Sequence, residues 1–341
     1  MHKKVGALRI AVILLVFALL VSGCSSGSAP TASKDTGKQA QQPAEPAQTS
    51  QPKNLRMGTS SVGGVYYVLG AAWGKLLEEN IPGVKVQVEA TSGPGANVQL
   101  MEQDKLELAL VSTIFTYQGM RGEGFAEGKK HEKFRAMFPI FSSPTIILTS
   151  ADSPIKSLKD MQGKTVCVGP VAAGGAQFGK DAMELFNIKP RQVVNLSWAD
   201  SMQALAEGRV DVAICQFGHP NASVLELENT RKIRFVPLSE QEIDQLVKKY
   251  PYYSKQYVPK GTYKYLTEDY ATVGPFTYSV CHKDLSDDLV YKIVSLSFEK
   301  KAALVAAAKA AEEMKPEDVS RIDAPLHPGA ARYYAEKGIK K

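Results

Sequence analysis

The sequence predicts a two-lobed α/β protein built on parallel β-sheets, and three observations carry that prediction. From about Asn54 onward, short strand-like apolar runs alternate with helix-like ones. The 54–341 segment is too long for one compact core. Two stretches of like character, LELAL (106–110) and VDVAI (210–214), each follow a helix ending in an acidic turn. Length calls for two lobes, and the echo gives them similar wiring.

What precedes the folded part sets the compartment. His2, Lys3, Lys4 and Arg9 open the chain, and 10–21 is an apolar run. That run falls short of the roughly 20 residues a membrane-spanning helix needs. A basic start, a short apolar core and small residues make a secretory signal over 1–23. VSGC (21–24) is similar to a bacterial lipobox, which implies cleavage before Cys24 and acylation of its thiol. Residues 24–53 lack large apolar side chains and read as a flexible stalk.

Charge excludes more than it suggests. The formal net charge is +6, but Lys3, Lys4 and Arg9 lie in the signal, and the stalk adds a small excess of lysine. The folded part is nearly neutral with mixed signs, which is no footprint for nucleic acid. Besides Cys24, the sequence has Cys167, Cys215 and Cys281, each in an apolar run. An odd number leaves at least one free thiol. Buried free thiols are expected, with a Cys167–Cys215 disulfide as the alternative. The five histidines are scattered and no CxxC occurs, so no metal is expected.

LRMG (55–58) is a strand entering the charge-free, hydroxyl-rich GTSSVGGVYY (58–67). Val65, Leu69, Ala72, Trp73, Leu76 and Leu77 recur at helical spacing. Val84, Val86 and Val88 alternate as a strand, 96–103 reads as a helix, and Leu106, Leu108 and Leu110 mark the next strand. The 138–149 segment is long and apolar, with Pro139 and Pro144 inside it. A second set follows: strand 165–169, glycine-rich turn 169–175, helix 176–186, strand 193–196, helix 201–207 and strand 210–215. A last apolar strand near 273–280 precedes helices at 287–300 and 301–314. Segments near 140–148 and 272–281 are expected as crossovers. Lobe one is then 54–145 with 280–341, and lobe two is 146–279 including the return crossover.

In open α/β sheets, ligands bind beyond the carboxyl ends of the strands, where helices begin. Turns 58–67, 91–97, 112–119, 169–175 and 216–221 occupy that position, and none contains Asp, Glu, Lys or Arg. Glycine admits backbone close to a ligand, and free N–H groups at a helix start attract anions. Such a site suits a carboxylate held by helix ends, or a neutral polar molecule. Catalytic motifs fail: Gly174 to Lys180 fits G-x-x-x-x-G-K, but Asp181 stands where Mg²⁺ needs a hydroxyl. GPGANV (93–98) lacks the third glycine of a dinucleotide fingerprint, and no G-x-S-x-G elbow occurs. No enzyme activity is expected.

GTSSVGGVYYVLG (58–70), ADSPIKSLKDMQGKTVCVGPVAAGGA (151–176), GHPNA (218–222), KYPYY (249–253) and PLHPGAARYY (325–334) occur in this order. Together, over about 54–336, they resemble the TAXI branch of TRAP-transporter solute-binding proteins. The resemblance implies a type II periplasmic-binding-protein fold that closes like a jaw on one small solute, without a cofactor. It implies delivery to a membrane permease driven by an ion gradient, typically Na⁺. Glutamate, glutamine and 2-oxoglutarate-like dicarboxylates are ligands of that branch. An exported sensor or enzyme on the same fold is the alternative.

On this reading Ser60, Ser61 and the amides around Gly64 donate to the ligand, and Tyr66 stacks on it or bonds to it. Adjacent helical residues face apart, so one of Tyr66 and Tyr67 is core and the other cleft. With Tyr66 in the cleft, Tyr66→Ala weakens binding and leaves the unliganded melting midpoint nearly unchanged. Ser112 and Thr113 end a strand at the cleft edge. Ser92 and Asn97 are ligand contacts, or equally a turn former and a cap. From the second lobe come the amides of Gly174, Gly175 and Ala176, with Gln216, Phe217 and His219 as wall. His219 before Pro220 reads equally well as a helix-start residue. The branch often has Gly-Ser-Gly-Thr in the second-lobe turn. Here Ala172 to Ala176 carries no hydroxyl, so either the ligand is less polar on that side or backbone N–H groups suffice.

Overall fold

The computed structural model describes residues 54–341. The expected signal peptide, the Cys24 anchor and the stalk lie outside them. Among the described residues no helix is long and apolar enough to cross a membrane.

The chain runs β1 (Asn54–Gly58), α1 (Val65–Asn80), β2 (Lys85–Glu89), α2 (Pro94–Glu102), β3 (Leu108–Ser112), α3 (Thr113–Arg121) and β4 (Phe134–Ser142). It continues with β5 (Thr145–Ser150), β6 (Thr165–Cys167), α4 (Gly174–Leu185), β7 (Gln192–Val194), α5 (Trp198–Ala206), β8 (Val212–Gln216) and α6 (Ala222–Thr230). Next come β9 (Ile233–Phe235), α7 (Glu240–Lys249), β10 (Ser254–Val258), β11 (Tyr270–Gly274) and β12 (Phe276–His282). The chain ends with α8 (Asp287–Glu299), α9 (Lys301–Ala307) and α10 (Pro328–Glu336).

Two five-stranded sheets form, ordered β2-β1-β3-β12-β4 and β7-β6-β8-β5-β9. In each, the first three strands of a βαβαβ run are parallel, and the fourth position holds an antiparallel strand. That strand enters from outside its own sheet, β5 from the first five-stranded sheet and β12 from a separate two-stranded sheet, β10-β11. β5 follows β4 across Ser143 and Pro144, and β12 follows β11 across Pro275. The sheets are thus wired alike, as the echo of 106–110 and 210–214 suggests: β3 and β8 hold the same place in their sheets. The two crossovers lie side by side, joined by Ser143 N–H donating to Pro275 O at 3.0 Å.

Proline explains why the long apolar segment is two strands rather than one. Pro144 cannot donate to a ladder and falls between β4 and β5. Pro139 remains inside β4, where its pairing with β12 shifts register. Alternation then sorts the second sheet between two cores. Ile147, Val212 and Ile214 face one apolar cluster, while Ile146, Leu148, Ala213 and Cys215 face the other.

Other expectations shift. The helix expected over 301–314 stops at Ala307, because Ala308 turns to extended backbone and a 3₁₀ turn, Lys309–Glu313, follows. The strand expected from Val210 starts at Val212, because the Asp211 carboxylate accepts the Thr165 N–H at 2.7 Å as the strand begins. Cys167, Cys215 and Cys281 are all buried and free, so the disulfide alternative does not hold. The Cys167 thiol instead donates to Ser201 Oγ at 3.2 Å.

Candidate functional site

The carboxyl ends of β1, β3, β6 and β8 open onto one cavity between the sheets. Ser60, Val65, Tyr66, Ser92, Gly93, Pro94 and Ser112 line it from the first lobe. Pro170, Ala173, Gly174, Trp198, Gln216 and Phe217 line it from the second, with Ser143 and Pro275 of the crossovers between. Its volume is about 30 Å³, room for roughly two waters. A solute the size of an amino acid therefore enters only if the lobes part or the walls move.

Five helices begin at this cavity, and four have no side-chain cap: α1 after Gly64, α2 after Gly93, α3 after Ser112 and α4 after Ala173; the fifth, α5, whose first residue Trp198 lines the wall, is capped by Ser197. The long helices elsewhere are capped by Asn221, Ser239, Ser286 and His327. A side-chain cap satisfies helix-start N–H groups and is worth about 1 kcal/mol. Its omission leaves the starts of α1 and α3 to whatever the cavity holds; at α2, Pro94 has no N–H and the Gly95 N–H is taken by Ala172 O, and at α4 Gln216 Oε1 already lies over the start. Their dipoles add partial positive charge there, while among the described residues no Asp, Glu, Lys or Arg lines the wall. Ser112 Oγ, on a residue 2% exposed, has no hydrogen-bond partner among the described residues.

Glycines bring the backbone close. A Cβ on Gly174 would collide with Gln216 Oε1, so the Gln216 side chain lies directly over the start of α4. Gln216 Nε2 donates to Thr145 Oγ1 at 2.7 Å, which holds it there. At the mouth the lobes touch: Gly95 N–H donates to Ala172 O across the cleft at 3.1 Å. Gly93, at φ +126°, keeps a close approach to the same carbonyl that a side chain would block.

Of the residues expected from sequence, Ser60, Tyr66, Ser92, Ser112, Gly174, Gln216 and Phe217 meet at the cavity. The others lie off its wall. Ser61 Oγ is buried without a partner among the described residues. Gly64 caps α1 beside Trp198. Asn97 is buried and fully engaged: its amide donates to Thr59 O and Leu110 O, each at 2.8 Å, and accepts from Thr91 Oγ1 at 2.7 Å. Thr113 donates to Tyr252 O at 3.0 Å and accepts from the Phe276 N–H at 3.1 Å. Gly175 packs α4 on its sheet, with Val168 O and Ile214 O at 2.8 and 2.9 Å from a Cβ built there. Ala176 follows on α4, partly buried. His219 contacts Tyr263 OH at 2.5 Å through Nδ1 and Pro144 O at 3.3 Å through Nε2. Burial pushes its imidazole down to about 4, so it is neutral at pH 7.

Tyr66 needs a correction. It lines the cavity, yet it is 8% exposed and its hydroxyl is already engaged. It donates to Val111 O at 3.1 Å and meets Thr277 Oγ1 at 2.8 Å, and burial raises its pKa. It is core and cleft at once, so its removal cannot leave stability untouched.

Sequence reasoning missed Trp198, whose ring edge stands at 3.3 Å from a Cβ placed on Gly64 of the facing lobe. Trp198 also packs edge-on against Phe217 at 5.2 Å between centroids. The echo could have found it, because α5 opens its lobe's second βα turn as Pro94 opens α2.

Two similarly wired lobes closing on a cavity at their strand ends make a type II periplasmic-binding-protein fold. The chain belongs to the NMT1-like family, whose model matches residues 57–338. Among solved structures it is similar to the Xanthomonas citri protein XAC2383 with chloride bound: 10% identity, 84% of this chain and 96% of that one, TM-score 0.48. It is similar to an ancestral arginine-binding protein with arginine bound: 17% identity, 77% and 99% covered, TM-score 0.47. It is also similar to a structure from work on glutathione import through GshT and the cystine ABC importer TcyBC of Streptococcus mutans: 14% identity, 76% and 94% covered, TM-score 0.48.

Proposed function

We propose that this protein is an extracytoplasmic receptor that closes its two lobes on a small organic anion. It passes the solute to an ion-gradient-driven permease of the TRAP type. A lipid on Cys24 tethers it to a bacterial membrane. The observation that carries the receptor reading is the meeting of four uncapped helix starts and the unpartnered Ser112 Oγ at one interlobe cavity. Hydrogen-bond donors without a charged side chain hold an anion reversibly, as a carrier must. The ordered motifs 58–70, 151–176, 218–222, 249–253 and 325–334 support the TRAP assignment and a glutamate-, glutamine- or 2-oxoglutarate-like solute.

Thermal unfolding of the purified full-length chain tests the receptor reading, after partial unfolding and dialysis to strip carried solute. A ligand at about 100 times its Kd adds roughly 2.7 kcal/mol, seen as a raised midpoint. A flat response to a broad panel of acids, amino acids, amides and sugars would sink it. Solute uptake by cells with and without the chain, abolished by collapsing the Na⁺ gradient, tests the permease class.

A further inference from the structure

Resting on the receptor reading, we infer that the solute is a carboxylate bearing no ammonium, so that an oxo or hydroxy acid is bound and its amino-acid counterpart refused. The argument is one of counter-charge. A buried ammonium stays charged only beside a carboxylate or in water, and burying it unpaired carries a heavy desolvation penalty. Among the described residues no acidic side chain lines this cavity. The four helix starts also turn their positive ends toward it, which favours an anion and opposes a cation.

The acceptors on the wall do not make up the deficit. The Tyr66 hydroxyl is engaged with Val111 O and Thr277 Oγ1. Ser143 Oγ is engaged with Thr277 Oγ1 at 2.7 Å. Gln216 Oε1 lies over the start of α4, and the bond from Gln216 Nε2 to Thr145 Oγ1 keeps the side chain there. Ser112 Oγ is different: it is buried, unpartnered and at the start of α3, placed to donate to a carboxylate alongside that helix's own N–H groups. The wall thus offers neutral hydroxyls and helix starts but no negative charge. A zwitterion would satisfy only its carboxylate half.

Matched pairs on the purified full-length chain test this: glutamate against 2-oxoglutarate and alanine against pyruvate, by titration calorimetry at neutral pH, with glutamine and glucose alongside. The expected result is an oxo acid binding at least tenfold more tightly than its amino-acid partner. Ser112→Ala should weaken that binding about tenfold, the loss of one hydrogen bond to a charged group. It should leave the unliganded midpoint unchanged, since Ser112 Oγ bonds to nothing among the described residues. An amino acid binding as well as its oxo partner, or glutamine or glucose alone binding, would overturn the inference while the receptor reading stands. Unchanged affinity in Ser112→Ala would take the anion away from the start of α3 and overturn it too. No binding by any solute of the broad panel would bring down both.

Discussion

Replacing Asp181 with asparagine should stabilise this protein at neutral pH and lose that advantage in acid. Asp181 sits on α4, 3% exposed. Its Oδ2 accepts from the Tyr252 and Tyr253 hydroxyls, each at 2.9 Å, and its Oδ1 from Gln177 Nε2 at 2.8 Å. Desolvation outweighs these three bonds and pushes the carboxyl up to about 6 from its ordinary 3.8. That rise corresponds to about 3 kcal/mol.

The sign follows from proton counts. Between about pH 4 and 6 the folded state keeps a proton that the unfolded chain releases, so stability falls as pH rises through that window. Above about pH 6 the buried charge costs the fold about 3 kcal/mol, and below about pH 4 it costs nothing. The asparagine side chain would carry no charge at any pH, and the tyrosine hydroxyls can turn to accept from its amide. The assay is the melting midpoint of wild type and Asp181→Asn at about pH 7.5 and about pH 4.5, taken as a difference so that other titrations cancel. At about 2 °C per kcal/mol for a chain of this size, the variant should lead by about 6 °C at the higher pH and by little at the lower. A gap that is the same at both pH values would refute the reasoning.

Two further substitutions separate structure from binding. Tyr66→Ala should cost about 3–5 kcal/mol of stability, the usual penalty for emptying a buried aromatic site, read as a lower midpoint without solute; an unchanged midpoint would return Tyr66 to a purely cleft role. Gly174→Ala places a Cβ where Gln216 Oε1 lies and displaces that side chain from the start of α4. It should weaken solute binding at least tenfold while costing only about 1 kcal/mol for the bond to Thr145. Calorimetry showing wild-type affinity would mean Gln216 takes no part in the grip.

The alternation of strands and helices over 55–110 and 165–215 and the kinship of β3 with β8 could be read from the sequence, whereas α3, the elements α6 to β10 and α10 were not. Alternating apolar runs, prolines and a five-residue echo are local signals, and local geometry follows from them. The charge-free turns also lie at the strand ends where the cavity forms, because composition reveals what a wall lacks. Which side chains face the cavity was not legible. Ser60 and Ser61 are neighbours, yet only Ser60 lines it; Ser112 Oγ is idle while Thr113 Oγ1 is tied to Tyr252 O and the Phe276 N–H. Those partners stand more than a hundred residues away in the chain. Asn97 likewise reads as ligand or cap until its three bonds to Thr59, Leu110 and Thr91 are seen. Trp198 reaches the cavity only because the facing lobe offers Gly64 to its ring. The sequence by itself determined two like-wired α/β units and charge-free turns at their strand ends, since both follow from local pattern and composition. The tertiary structure alone decided which hydroxyls stay free, because that depends on partners from distant segments once the lobes have met.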